Sequence, residues 1–240
     1  NVELATPMAR VGGAVSILPE YYIRLDHKRR RDDTFFFNLP LARNVTTVTQ
    51  VGLGLRASFG GAALGVETSG TSDVHVVAGR SSQRGGAGGR HAYLGLEHSQ
   101  TFLVSPGAAV ALRFKGQVGR RGMPGTEYIG IGGASTVRGY ETNEVSSHSG
   151  LAASLELRAR EGFELGRRGH VARPFAFVDI GHGAAAGVEP ARTLASVGLG
   201  LRVDLGARMN GTVELAHALR PGRTTRKGST RVHLAMTAQF

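Results

Sequence analysis

The 240-residue chain has no cysteine and no tryptophan, and only three of its basic residues, Lys28, Lys115 and Lys227, are lysines. Without cysteine there is no disulfide scaffold, no thiolate metal site and no thiol nucleophile. No run of 18 apolar residues occurs, which excludes a transmembrane helix. No charged-then-apolar leader opens the chain, so a signal peptide is absent or already removed. The nine histidines fall in no metal-ligand spacing, and no metal site is expected. Gly130-Ile131-Gly132-Gly133 lacks the third glycine and the strand-to-helix setting of a dinucleotide site. Lys227-Gly228-Ser229 lacks the upstream glycine of a phosphate loop. No Gly-x-Ser-x-Gly elbow is present. The expectation is a protein that is not an enzyme and carries no cofactor.

What the chain does have is 36 glycines, 41% hydrophobic and 20% charged residues. That is too apolar and too mixed for a disordered tail, and the length suits one domain or two small ones. Lys and Arg number 29 against 18 acidic residues, a formal net charge of +11 carried almost wholly by arginine. Arginine suits planar contact with carboxylates and phosphates. Composition therefore leaves nucleic acid, anionic lipid and an internal ion-pair network all open.

The apolar period is two nearly everywhere and 3.6 almost nowhere. Val232, Leu234, Met236, Ala238 and Phe240 alternate with Arg231, His233, Thr237 and Gln239. From Leu194 to Leu205, Ala195, Val197, Leu199, Leu201 and Val203 oppose Ser196, Gly198, Gly200, Arg202 and Asp204. Segments 51–58, 110–118 and 151–158 show the same pattern, and weaker candidates lie near 14–25, 34–42, 61–68, 72–80, 91–104, 172–182 and 210–219. Gly60-Gly61, the glycines at 85–89, Ser105-Pro106-Gly107 and Pro221-Gly222 read as separators. The charged run Asp26–Asp33 reads as an exposed turn. The count is about twelve strands of roughly ten residues, long enough to cross a bilayer at a tilt. With no helix between them, a parallel α/β sheet is not expected.

The two faces then decide the class. One is cleanly apolar; the other mixes Gly, Ser, Gln, Arg, Glu and Asp. A soluble sandwich would put large aliphatics on its inner face and polar groups on water, and a Gly-rich sandwich is the competing reading. A membrane barrel needs lipid outside and a polar or ion-paired lumen inside, closed so that no strand edge meets hydrocarbon. A mean hydropathy of −0.10 suits that arrangement. The fold class expected is all-β, an antiparallel transmembrane β-barrel. Few aromatics, five Tyr and ten Phe, are available for interfacial girdles.

Residues 119–148 form a long connection of no clear period, usually a sign of function. Within it, Gly132-Gly133-Ala134-Ser135-Thr136-Val137-Arg138-Gly139-Tyr140 resembles the VRGY segment of the BamA/TpsB superfamily of outer-membrane transporters and insertases. Phe177-Val178-Asp179-Ile180-Gly181 resembles the superfamily's second motif, F-x-D-x-G. Gly116-Gln117, Ser154-Leu155-Glu156-Leu157-Arg158 and Ala195–Arg202 look most like TpsB, the transporter of two-partner secretion. The resemblance covers roughly residues 108–240, and the alternating final strand ending in Phe240 looks like an outer-membrane assembly signal.

The resemblance implies a pore that moves unfolded polypeptide across or into the bacterial outer membrane. Its loop folds into the lumen, with Arg138 meeting Asp179 on the barrel wall and Glu156 as a second partner. Gly139 would allow close approach and Tyr140 would offer a flat surface and a hydroxyl. Phe177, Asp179 and Gly181 share one face by parity. Inward Arg113, Lys115, Arg158 and Arg202 are read as balancing inward carboxylates. Implied partners are the unfolded polypeptide, outer-membrane lipid and lipopolysaccharide, and the barrel assembly machinery through the last strand. The family barrel has sixteen strands preceded by POTRA domains; none is seen in this chain. It is expected to be a single barrel domain, 1–240, either the C-terminal part of a longer protein or a shortened barrel. The alternative is a basic β domain binding a polyanion, nucleic acid or lipopolysaccharide. Spread arginines and scarce aromatics fit nucleic acid poorly.

Overall fold

The computed structural model describes residues 1–37, 39–63, 65–83, 88–166, 169–187, 189–206 and 208–239. The strands in chain order are β1 (Val2–Pro7), β2 (Val15–Phe36), β3 (Leu39–Ala63), β4 (Val66–Gln83), β5 (Gly89–Ser105), β6 (Ala108–Gly119), β7 (Ile129–Ile131), β8 (Val145–Ser147), β9 (Gly150–Ala159), β10 (Phe163–Glu164), β11 (His170–Gly183), β12 (Arg192–Leu205), β13 (Met209–Ala218) and β14 (Thr230–Ala238). A single 3₁₀ turn, Gly125–Glu127, is the one helical element among the described residues. Twelve strands make one antiparallel sheet, ordered β1-β2-β3-β4-β5-β6-β9-β11-β12-β13-β14 with β10 on β11; β7 and β8 pair separately.

Alternation sets the two faces, and they are inverted relative to a soluble core. In β9, Ser154 and Glu156 are buried while Leu151, Leu155 and Leu157 are exposed. In β11, Phe177 and Asp179 are buried while Val178 and Ile180 are exposed. Register joins the outward residues into a continuous row, Val110↔Leu157↔Ala176↔Leu199↔Leu215↔Val232. Leu199 in that row is 65% exposed and Leu215 52%. Exposing so many large aliphatics to water is disfavoured; against acyl chains it is the ground state.

Several inward glycines exist to seat a ring from the neighbouring strand. Tyr22 pairs with Gly54, Phe175 with Gly200 and Phe177 with Gly198. A Cβ at any of these glycines would lie 2.3 Å from the partner ring. Such pairs cover the bare glycine backbone and pin the register.

The strand total agrees with expectation, but its composition differs. Asp26–Asp33 is no turn: it lies inside the 22-residue β2, paired to β3 from Asp26↔Gln50 through Asp33↔Arg43. Gly60 and Gly61 are likewise within β3, where Gly61 approaches Ala14 O too closely for any Cβ. The 34–42 and 61–68 segments are therefore not strands of their own; each spans the junction between two longer ones. β1 and the two-residue β10 add the two strands that keep the number at twelve. The connection after β6 is also not wholly irregular, since β7 and β8 form a small hairpin, Ile129↔Ser147 to Ile131↔Val145.

Candidate functional site

That connection lies on the polar side of the sheet and makes contacts with strands from β2 to β14. At its start the buried carboxylate of Glu127 accepts hydrogen bonds from Lys28 Nζ on β2 (3.2 Å) and Gln50 Nε2 on β3 (2.9 Å). His91 on β5 bonds Gln50 Oε1 at 3.0 Å, extending the anchor by a third strand. Gln117 Nε2 on β6 donates to Glu127 O.

Near its middle the segment presents Arg138, 1% exposed. The guanidinium has five N–H groups, and every one has an acceptor. Nε donates to Asp179 Oδ2 at 2.8 Å and Nη2 to Asp179 Oδ1 at 2.7 Å, the bidentate geometry. The second Nη2 hydrogen goes to Ser154 Oγ at 2.9 Å, and Nη1 serves Glu156 Oε1 at 2.8 Å and Glu214 Oε1 at 3.0 Å. The Arg138 backbone N–H adds a third bond to Asp179. Below the plane, the Phe177 ring centroid sits 3.4 Å from Cζ, a cation–π contact stacked within the same motif strand. Burial alone works against the charge, yet the bonds and charge of Asp179, then the charges of Glu156 and Glu214, hold the Arg138 pKa above the ordinary arginine value.

Glu156 is shared more widely. Arg113, Arg158 and Arg202 also reach it, at 3.1, 2.8 and 2.7 Å, so four guanidiniums face the carboxylates of Glu156, Asp179 and Glu214. Arg202 in turn lies 4.2 Å above the Phe175 ring. Lys115 pairs with Glu97 instead.

The glycines of the segment have separate reasons. Gly132, Gly133 and Gly139 have φ of 113°, 92° and 87°, the left-handed side that side chains resist. Gly181 on β11 is flat so that the segment can lie on it; a Cβ there would meet Ile131 Cγ2 at 2.5 Å and Val137 Cγ2 at 2.8 Å. Val137, fully buried, packs in one apolar cluster with Ile129, Ile131, Tyr140 and Leu194. Tyr140 Oη lies 2.8 Å from both Ala195 O and Arg220 O, tying the segment to β12 and to the connection after β13.

The far end has an anchor that the sequence did not single out. Glu144 accepts from the N–H of Thr225 (2.9 Å), from both threonine hydroxyls and from the N–H of Thr224. Burial opposes its charge, but these Thr225 and Thr224 donors bring its pKa down to about 2. Arg231 on β14 reaches Glu141 at 2.6 Å, and the Gly139 N–H donates to His233 Nε2. Glu214 was also missed, although its inward parity on β13 is visible in the sequence; Glu127, Gln50 and Glu144 carry no such signal. Phe240 lies outside the described residues.

Between the segment's Ser135 and Thr136 and the inner wall of β2–β6 and β9 remains a cavity of about 610 Å³, bordered by Arg24, Arg56, Asp73 and Lys115. No group of residues fit to hold a metal ion occurs among the described residues.

A family model of haemolysin secretion/activation proteins, ShlB/FhaC/HecB, matches residues 20–203. Two solved structures are similar in fold. CdiB from Escherichia coli has a TM-score of 0.50 and 13% identity, over 94% of this chain and 50% of that one. CdiB from Acinetobacter baumannii has a TM-score of 0.50 and 15% identity, over 98% of this chain and 49% of that one. The chain thus spans about half the length of these structures. Among curated proteins none matches.

Proposed function

Because this chain belongs to the haemolysin secretion/activation family ShlB/FhaC/HecB, of outer-membrane β-barrel transporters, we propose that it forms the barrel domain through which an unfolded polypeptide is exported by two-partner secretion. Residues 119–148 act as a lumen plug, and the Arg138–Asp179 pair is its lock. The observation that carries this reading is the saturated guanidinium of Arg138, held by carboxylates from three strands on the sheet's polar side. A solvated loop arginine would not bury its charge among three acids, because desolvation is offset only by complete pairing.

Three buried charged groups fasten the plug: Glu127 on the β2–β3–β5 wall, Arg138 on β9, β11 and β13, and Glu144 on the connection before β14. Releasing the middle one while the ends hold would swing Ser135 and Thr136 away from the 610 Å³ cavity and widen a continuous polar path. The soluble polyanion-binding alternative has less behind it, since the charged face is turned inward and the aliphatic face outward.

Two assays test the proposal. Export of the partner polypeptide by Arg138→Ala, at wild-type surface abundance, should fall at least tenfold. In planar bilayers the same variant should show a larger or more frequent ion conductance than the parent. Wild-type export together with unchanged conductance would refute the lock. The charge-exchanged pair Arg138→Asp with Asp179→Arg probes the pairing itself and should recover part of the export.

A further inference from the structure

The arginines gathered around Glu156 and Asp179 are accounted for by carboxylates, but a group on the outside is not. On the outward face of β4, exposed Val74, Val76 and Ala78 are followed in the same column by Arg80; on β5, Leu94 and Ala92 are followed by Arg90. Register sets His27, Thr49, Arg80 and Arg90 side by side across four strands. Arg29 stands one outward step further along β2. Arg29, Arg80 and Arg90 are exposed and have no ion-pair or hydrogen-bond partner among the described residues, whereas neighbouring Arg30 and Arg31 pair with Asp32 and Asp33.

Two like charges directly opposite each other across an antiparallel pair are destabilising, and Arg80↔Arg90 is such a pair. An anion placed between the two forks would convert the repulsion into charge-assisted bonds. The location says which anion. Arg80 is two residues, about 7 Å, beyond Ala78 on the lipid-facing side, which is headgroup depth rather than bulk water. The same sheet end carries the longest connections, 120–149, 184–191 and 219–229, beside the short 37–38; the opposite end has 64–65, 106–107 and 206–208, and its longer 8–14 and 160–169 stay well below the length of 120–149. In outer-membrane barrels the long connections face outside, so this edge meets the outer leaflet.

We propose that Arg80 and Arg90, with Arg29, form a binding site for the phosphate groups of an outer-leaflet glycolipid, the lipid A moiety of lipopolysaccharide. The site rests on the barrel's orientation in the membrane and is independent of the plug and of export. It fixes the depth of β2–β5 in the bilayer and leaves the lumen untouched.

The test is native mass spectrometry of the detergent-solubilised chain, folded as judged by heat-modifiable migration, with three probes: phosphorylated lipid A, lipid A stripped of phosphate, and phosphatidylglycerol. Each juxtamembrane cation contributes roughly fivefold to anionic-lipid affinity. Retention of phosphorylated lipid A should therefore drop about 25-fold in Arg80→Gln/Arg90→Gln. The charge-matched control Arg226→Gln/Lys227→Gln, at exposed positions in the connection before β14, should retain it as the parent does. Equal retention by parent and Arg80/Arg90 variant overturns the site. So does equal retention of the phosphate-free lipid by the unaltered chain, a result that needs no variant to fold. Phosphatidylglycerol held as tightly as lipid A overturns the glycolipid assignment. Export should be unchanged in the Arg80/Arg90 variant, so a failure of this site and a failure of the plug lock are read separately.

Discussion

Removing Arg138 leaves its partners in unequal positions, and that inequality sets the size of the effect. Glu156 keeps Arg113, Arg158 and Arg202, and Glu214 is partly exposed. Asp179, with 0% exposure, keeps only the backbone N–H of residue 138. Stranding one buried charge of a pair costs about 3–5 kcal/mol, so Arg138→Ala should lower stability by about 4 kcal/mol. Asp179→Ala removes three hydrogen bonds but leaves the Arg138 charge paired with Glu156 and Glu214 and bonded to Ser154, and should cost less, about 2 kcal/mol. In the double variant no carboxylate is stranded, and the loss should stay near 4 rather than 6 kcal/mol, a coupling of about 2 kcal/mol. Guanidinium unfolding of the vesicle-inserted barrel, followed by circular dichroism, measures all four corners of this cycle. An additive double variant, or an Arg138→Ala loss below about 1 kcal/mol, would refute the reasoning.

Two further outcomes follow from the same geometry. Gly181→Leu should push Ile131 and Val137 off β11 and expose the 119–148 segment to added trypsin at Arg120, Arg121 and Arg138, while heat-modifiable migration remains; a segment as resistant as the parent's would contradict the close packing. Glu144 has its folded pKa lowered to about 2 from 4.5, so its contribution is complete above about pH 4.5 and is lost as pH falls towards 2. The stability gap between the parent and Glu144→Gln should therefore be largest near pH 6 and shrink steadily in acid; a gap that is flat with pH would show that the carboxylate is not the anchor.

The faces of the sheet were legible because lipid and lumen impose opposite chemistry on successive residues. β12 and β14 announce themselves by alternation alone, and the parity of Phe177, Asp179 and Gly181 can be read from the same rule. β2 and β3 were less legible for a physical reason. From Asp26 to Asp33 both parities carry charged or polar residues, so alternation lapses and the run looks like a turn although its backbone continues the ladder. The glycines misled in the same way: Gly60 and Gly61 seem to punctuate, yet both lie inside β3, and close approach to Ala14 O explains Gly61. β7 and β8, three residues each, are too short to show any period. The partners of Glu127 lie 99 and 77 residues away along the chain and those of Glu144 lie 80 and 81 away, so no local pattern marks them.

On this reading the aliphatic face of these strands meets acyl chains while the charged face encloses the 119–148 segment. With no native cysteine to remove, single cysteines at successive positions 153–158 and 196–201 can be spin-labelled in vesicles and tested for collision with oxygen and with a nickel chelate. Leu155, Leu157, Val197 and Leu199 should be oxygen-rich and nickel-poor, alternating residue by residue with Ser154, Glu156, Ser196 and Gly198. Uniform access of the nickel chelate to both sets would contradict it.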